Sequence, residues 1–494
     1  MFLFVGFWGR FGPCSVSPVM GKPGSCQTEN VESWAAVQWG DGIRAGAHAK
    51  PKSPMTDKSP SPAPLTAHGA DPLTGRFAVP GDRRLAAQAL LVAALTVGRS
   101  TLIGMPESAD IAGLAQALTQ LGVVIRREGR HWQVQGLGTG GLLAPGAPLA
   151  LDGLGPAAGL LLGALASHDM DCAVTLGQSG EPRKGVLPML EAIGARLLDG
   201  PDGHSTWRGA MRALPIAADA PIADGDCLSA LLLAGLNLPG LTQIRAAATA
   251  ANHTENLLAG FGAAIGVDEQ PDGTRIISLR DGAELTPRLV TVAADPALAG
   301  FGIVAALIVP GADVVVEGVL VNPQRTGLID ALLEMGGDIT FTNQREMMGE
   351  HVADLRVRSS YLRGLALDRD RSALLADEMV PLAIAAAFAE GDTTIEGLDS
   401  ASPATALAAG LTANRVKARF EGERLLVSGE RKVPGGGAVA SQGNAHLAMG
   451  FAVLGLGSKN KVVIEDAGAI DTEFPGFVQA LAALGGHFPS MKGR

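Results

Sequence analysis

The sequence predicts an α/β protein of two domains, each made of three repeated α/β units of about 70 residues around buried small-residue helices. Six segments end a helical pattern with an apolar residue, a small residue and a short strand: QLGVVI, AIGARL, GFGAAI, EMGGDI, LTANRV and ALGGHF. Their markers are Gly122, Gly194, Gly262, Gly336, Ala413 and Gly485. A second set runs in step with the first: LAAQALLVAALTVG, AAGLLLGALASH, CLSALLLAGLNLPG, LAGFGIVAALIVPG, EMVPLAIAAAFAEG and NAHLAMGFAVLGLG. Each of these precedes a strand such as VVVEGV or KVVIED. The second set is apolar nearly all round, so these helices belong in the middle of a domain with sheets outside. The unit reads helix, strand, loop, helix, strand. It is too long for a solenoid repeat, and six units divide as three plus three, with the fourth beginning near Asp295.

Composition agrees with that architecture. The 494 residues are 47% hydrophobic but only 4% aromatic, so the cores are built from Ala, Leu, Val and Ile. A net charge of −10 argues against nucleic acid or an anionic membrane as partner. Cys14, Cys26, Cys172 and Cys227 show no paired spacing, which points to a reducing cytoplasm and to neither a disulfide framework nor a zinc knuckle. No uncharged apolar run is long enough to span a membrane. Residues 1–74 differ in kind: the Pro/Ser/Lys-rich HAKPKSPMTDKSPSPAP reads as unstructured, Met55 offers an alternative start, and residues 1–54 are set aside.

Several local features have plain structural readings. GLGTGG (136–141) lacks the following helix that a dinucleotide site needs. His253 and Glu255 are two apart, so they are not a helical metal pair, and Asp219, Asp224 and Asp226 lack calcium-loop spacing. Cys227 opens an apolar helix and reads as core. The VNPQRTG loop reads as a cap and turn, with Arg325 bonding backbone carbonyls. GDRRLAAQALLVAALTVGRS (81–100) is a tight turn opening a helix, a place where free backbone N–H groups can hold phosphate.

The six-fold unit resembles the enolpyruvyl transferase fold, and residues 73–488 are most similar to the 5-enolpyruvylshikimate-3-phosphate (EPSP) synthase family. The most specific stretches are VLVNPQRTGLIDALLEMGGDI (319–339), EHVADLRVRSS (350–360), DEMVPLAIAAAFAEG (377–391) and FPGFVQALAALGG (474–486), which are particularly like the glyphosate-tolerant class. The resemblance implies two three-unit domains, 82–290 and 291–488 with 75–81, followed by a tail at 489–494. The hinges would lie near Gly81–Arg83 and Thr291–Asp295. It also implies a cofactor-free, metal-free monomer that joins phosphoenolpyruvate to shikimate 3-phosphate through a tetrahedral intermediate. That chemistry needs cations around two anions and positioned acid–base groups.

The family's site residues carry over unevenly. In the opening G-x-K-S-x-S-x-R motif, Gly81 is present, Arg83 stands for Lys, Arg84 for Ser and Gln88 for Arg. The N-A-G-T-x-x-R motif becomes GLGPAAG, with Gly153, Pro156 and Gly159 at the Asn, Thr and Arg positions. Glu181 replaces the Arg of R-P-M. In DGDCLS, Asp224 and Asp226 replace the Ser and Gln offered to shikimate 3-phosphate, and Leu228 replaces a Lys. Asp377 and Glu378 match D-E-x-P, with Asp377 at the catalytic carboxylate. Ser400 is nearest the missing Glu of K-E-S-D-R, and Asn444 to His446 stand where D-H-R supplies another Arg.

Two readings follow. One is an enolpyruvyl transferase of the shikimate pathway whose activity is lost or altered. Its candidate catalytic residue is Asp377, and its candidate substrate-binding residues are Arg83, Arg84 and Glu378. The other is a non-catalytic relative that binds a metabolite or protein partner in the interdomain cleft. Convergence of Arg83, Arg84, Arg183, Lys184, Arg369 and Arg371 on the cleft would favour a new anionic substrate. A neutral or acidic cleft would favour the second reading.

Overall fold

A computed structural model of the chain describes residues 64–176, 185–200, 204–211, 214–282, 284–375, 378–398 and 403–489. These form six small sheets, five of four strands and one of three. The first shows the plan. Gly98–Ile103 pairs antiparallel with the hairpin strand His131–Gly136, which pairs in turn with Val124–Glu128. On its other edge Gly98–Ile103 takes Leu289–Thr291 in parallel, with Leu289 opposite Thr101. The five four-stranded sheets each hold a hairpin and a parallel edge strand, whereas in the three-stranded sheet Leu65–Ala67 takes the place of the hairpin. The sequence pattern shows only two strands per unit, here Gly98–Ile103 and Val124–Glu128; it does not show His131–Gly136, whose buried and exposed residues alternate, or Leu289–Thr291, which comes from far along the chain.

Six central helices sit inside these sheets: Arg83–Ala94, Pro156–Ala166, Gly225–Gly235, Pro296–Ile308, Met379–Ala387 and Ala445–Gly457. They are called first to sixth below. Every residue of the second from Ala157 onward is buried, and so is every residue of the fourth. This is what helices without a polar face require. The first three helices share one core, which runs from Leu85 to Ala293 and adds Leu320 and Val352. The other three share a second core, which takes in Leu65–Val79 and Ala294–Phe488. Each fully buried Leu or Phe contributes about 1.5–3 kcal/mol, so packing rather than helix propensity holds the units together.

The repeat marker has a backbone cause. Helices ending at Gln120, Ala192, Gly260, Glu334 and Ala483 are each followed, two residues on, by a glycine at positive φ: Gly122, Gly194, Gly262, Gly336 and Gly485. A left-handed residue there turns the chain from helix into strand, and glycine takes it without strain. In the remaining unit the helix ends at Ala413 and the left-handed residue is Arg415, φ 65°. The marker placed at Ala413 is thus two residues early, because the sequence pattern looks for a small side chain and the turn here carries a large one.

The N-terminal boundary also shifts. Residues 64–74 fall within the stretch expected to be unstructured, yet Leu65–Ala67 forms a strand paired antiparallel with Val462–Ile464, and Leu73 is buried. The partner lies at the far end of the chain, which is why local composition does not reveal it. Among the described residues no helix is long and apolar enough to cross a membrane.

Candidate functional site

The N-termini of the six central helices line three adjoining cavities of about 400, 390 and 380 Å³. Each helix end brings unsatisfied N–H groups and a partial positive charge. Much of that is met by the chain's own caps. Asp82 accepts from Leu85 N at 2.9 Å, and Asp295 from Ala297 N at 2.9 Å. Asp224 accepts from Asp226 N at 2.8 Å, and Asn444 from Leu447 N at 2.9 Å. At the turn expected to hold phosphate, Asp82 thus takes the Leu85 N–H for itself.

Two segments of backbone cross side by side here. Asp82 N donates to Ala293 O at 2.8 Å, and Asp295 N to Pro80 O at 3.0 Å. Gly81 is glycine for space, since an added Cβ would lie 2.3 Å from the Gly104 carbonyl oxygen. The two caps then face one guanidinium: Arg325 Nη2 is 3.2 Å from Asp82 Oδ2 and 3.6 Å from Asp295 Oδ1. Burial raises the Asp82 pKa, but Arg325, His253 and the Leu85 N–H together hold it below the ordinary value. Asp295 is pushed up to about 6 by burial and by the Asp82 charge, against the pull of Arg325. Arg325, expected to bond backbone carbonyls, also reaches well outside its own turn. The turn is capped by Asn322, which accepts from Gln324 N at 3.1 Å, and Arg325 reaches two carboxylates far away in sequence.

The first cavity brings together Arg83, Arg84, Gly153, Pro156, Asp226 and His446. Arg83 faces carboxylates here: its Nη2 lies 2.8 Å from Glu473 Oε2, and its Nη1 is 4.0 Å from Asp110. Gly153 and Pro156 bring no polar side chain to the wall. Gly159 lies further into the second helix, against Val186. The third cavity shares Arg83, His446 and Glu473 with the first and adds Asn444, and the His446 ring stands edge-on to Phe301.

The second cavity holds Arg84, Gln88, Asp224, Asp226, His253 and Glu378. Gln88 is buried and donates from Nε2 to Ser229 Oγ at 3.2 Å. Glu378 is also buried, and its Oε2 accepts from Leu328 N at 3.2 Å, a structural tie at a position expected to bind substrate. Leu228 packs into the first core rather than the cleft. Arg369 pairs with Glu423 and Arg371 with Glu334, and neither lines these cavities. Asp377, Glu181, Ser400, Arg183 and Lys184 lie outside the described residues.

Across the first two cavities, among the described residues, seven carboxylates meet three guanidinium groups. No group of three or more His, Cys, Asp or Glu among the described residues is arranged to hold a metal ion. Sequence reasoning missed Asp82, Asp295 and His253 as parts of the site. A signal existed for the first two, because Asp stands just before an apolar helix in both unit one and unit four.

Comparison with known proteins gives a consistent result. The sequence model of the family described as EPSP synthase (3-phosphoshikimate 1-carboxyvinyltransferase) matches residues 67–481. The 3-phosphoshikimate 1-carboxyvinyltransferase of Methylobacterium radiotolerans is 40% identical over 444 residues, covering 86% of this chain and 98% of that protein. That of Parvibaculum lavamentivorans is 40% identical over 440 residues, with 87% and 97% covered. Among solved structures, EPSP synthase from Acinetobacter baumannii superposes with a TM-score of 0.77 at 29% identity, covering 85% of this chain and 98% of the other. The enolpyruvyl transferase NikO from Streptomyces tendae shares the fold, with a TM-score of 0.71 at 18% identity and with 86% and 98% covered.

Proposed function

The chain belongs to the EPSP synthase family, and from that premise we propose that it keeps the clamp but no longer joins phosphoenolpyruvate to 3-phosphoshikimate. It instead holds a metabolite in the cleft between its two domains. We take those domains to be 82–290 and 291–488 with 75–81.

The observation that carries this reading is the charge of the cleft. Two phosphorylated substrates need open cations, and here Arg83 is matched by Glu473 and Arg325 by Asp82 and Asp295. Gln88, Gly159, Glu181 and Leu228 stand where the family resemblance calls for Arg or Lys. Each charged hydrogen bond contributes about 1.5–3 kcal/mol, so losing four weakens binding by at least roughly 6 kcal/mol, more than 10⁴-fold. Asp224 and Asp226 add repulsion where a phosphate would sit. Ser400 in place of a catalytic Glu removes roughly another 10²–10⁴ in rate. Asp377 is the one catalytic carboxylate left, and a single carboxylate cannot restore that loss.

Calorimetric titration with 3-phosphoshikimate, followed by phosphoenolpyruvate, tests this reading. No heat at millimolar ligand and no phosphate release are expected. Micromolar binding followed by phosphate release would overturn it and restore the synthase assignment.

A further inference from the structure

One hairpin of the repeat is longer than the others. Its strands, Asp338–Met347 and Glu350–Arg358, hold ten and nine residues, against four to seven in the other four. The extra length lies beyond a bulge. Thr342 faces Asp354 while Arg345 faces Val352, so one residue is added between them, and Asn343 there is left-handed at φ 48°. The neighbouring strand Asp313–Leu320 slips at the same level, between Val316 and Val319. Asp354 fixes both irregularities, accepting from Asn343 Nδ2 at 3.1 Å and from Gly318 N at 2.9 Å. A bulge bends and twists a ribbon. Past it the hairpin leaves the second core: Leu320 and Val352 are buried in the first core, and Met347 and Met348 pack against it.

The tip is shaped for that contact rather than for a relaxed turn. Met348 and Gly349 form a two-residue loop with φ of 54° and 77°. Such a loop favours Asn or Asp at its first position, and Met there is held in a strained backbone. Its side chain gives the reason. It lies over the helix His253–Gly260, where a Cβ on Gly260 would come within 2.8 Å of Met348 Cε. A polar clasp sits beside this apolar contact. Glu350, only 5% exposed, accepts from Asn256 Nδ2 at Oε1 and from Asn322 Nδ2 at Oε2, both at 3.0 Å. Its Oε1 also lies 3.0 Å from His253 Nδ1, and Asn322 Nδ2 donates to Asn252 Oδ1 at 2.7 Å. Val352 lies beside the crossing of the chain between the cores, since it pairs with Leu320, which bonds to Ala294. Met348 is four residues further along, a reach of about 13 Å. Any rotation of one core about that crossing would therefore drag the tip across the helix and break the clasp.

We propose that this tip is a latch: it ties the helix His253–Gly260 to the second core and keeps the cleft at one opening when no ligand is bound. The latch does not depend on which ligand the cleft takes. The test is a distance measurement between the cores of the full chain, by pulsed electron paramagnetic resonance. Spin labels go on azidophenylalanine at Val124 and Tyr361, which are 55% and 83% exposed, so the natural cysteines stay untouched. The ligand-free parent should give one narrow distance distribution. Met348→Gly removes the apolar contact while relaxing the turn, so it keeps the fold, and it should widen the distribution roughly twofold. Glu350→Ala, which unmakes the clasp, should widen it further. Phe341→Ala, lower on the same hairpin and packed against the second core, should leave it as in the parent. Near-UV dichroism confirms that each variant folds, and Met348→Gly decides alone where Glu350→Ala does not fold. Widening in either latch variant supports the proposal. A broad or two-peaked distribution in the parent would overturn it. So would a parent-like narrow peak in every folded latch variant, or equal widening by Phe341→Ala.

Discussion

Units one and four open in the same way, with an aspartate capping a buried helix, yet the two caps end in opposite electrostatic states. Asp82 sits 3.2 Å from Arg325 and stays below the ordinary carboxylate range. Asp295 sits 3.6 Å from the same guanidinium and is pushed up to about 6. One cation cannot serve two buried carboxylates equally, so the nearer one holds the charge and the other is driven toward protonation. Equivalent positions in a repeat are thus made inequivalent by a third residue outside both helices.

Removing that residue should have the largest effect. Arg325→Leu leaves two buried carboxylates uncompensated and should destabilise the fold by about 3–5 kcal/mol, read from urea unfolding. A loss under about 1 kcal/mol would mean that Arg325 does not hold the caps. Next comes the contrast between Asp82→Asn and Asp295→Asn, both of which keep the cap. A folded pKa raised above the unfolded value contributes stability at low pH that is lost as pH rises through the folded pKa. Asp295→Asn removes that loss, so its stability should gain on the parent as pH goes from about 5 to 8, by an amount on the order of 1–3 kcal/mol. Asp82 is depressed, so its contribution is lost only in acid, and the cost of Asp82→Asn should be flat over the same range. Parallel pH profiles for the two variants would undo the comparison.

A smaller effect is expected at the surface of the cleft. Glu473→Gln should change stability by less than about 1 kcal/mol, since the pair with Arg83 is part-exposed. It should also measurably strengthen inorganic phosphate binding by releasing Arg83. The smallest effect concerns the odd repeat turn. Arg415→Gly should stabilise by about 0.5–1 kcal/mol by relieving the left-handed backbone, and an unchanged unfolding midpoint would show that the turn is unstrained.

How far the sequence could be read depended on the range of each interaction. The six buried helices and the glycine turns were legible because helical periodicity and backbone chirality act over a few residues. The same local signals carried the family resemblance, through stretches such as 319–339. The carboxylates at Asp224 and Asp226 were visible as replacements in a motif. What they face was not.

Other features had no local signal at all. The strand Leu65–Ala67 exists only because Val462–Ile464 is beside it. His253 was legible only as a poor metal pair with Glu255. Its role follows from Glu350, Asn322 and Asn256, brought together across the fold. Gln88 could be seen as a lost arginine, but not as an amide oriented by Ser229. By itself, then, the sequence determined the repeat, the burial of the central helices and the caps that start them, since each is settled within one turn or one strand. Which charges cancel was settled only by folding. Electrostatic pairing and desolvation depend on groups such as Asp82, Asp295 and Arg325, which are remote along the chain and adjacent only once it has folded.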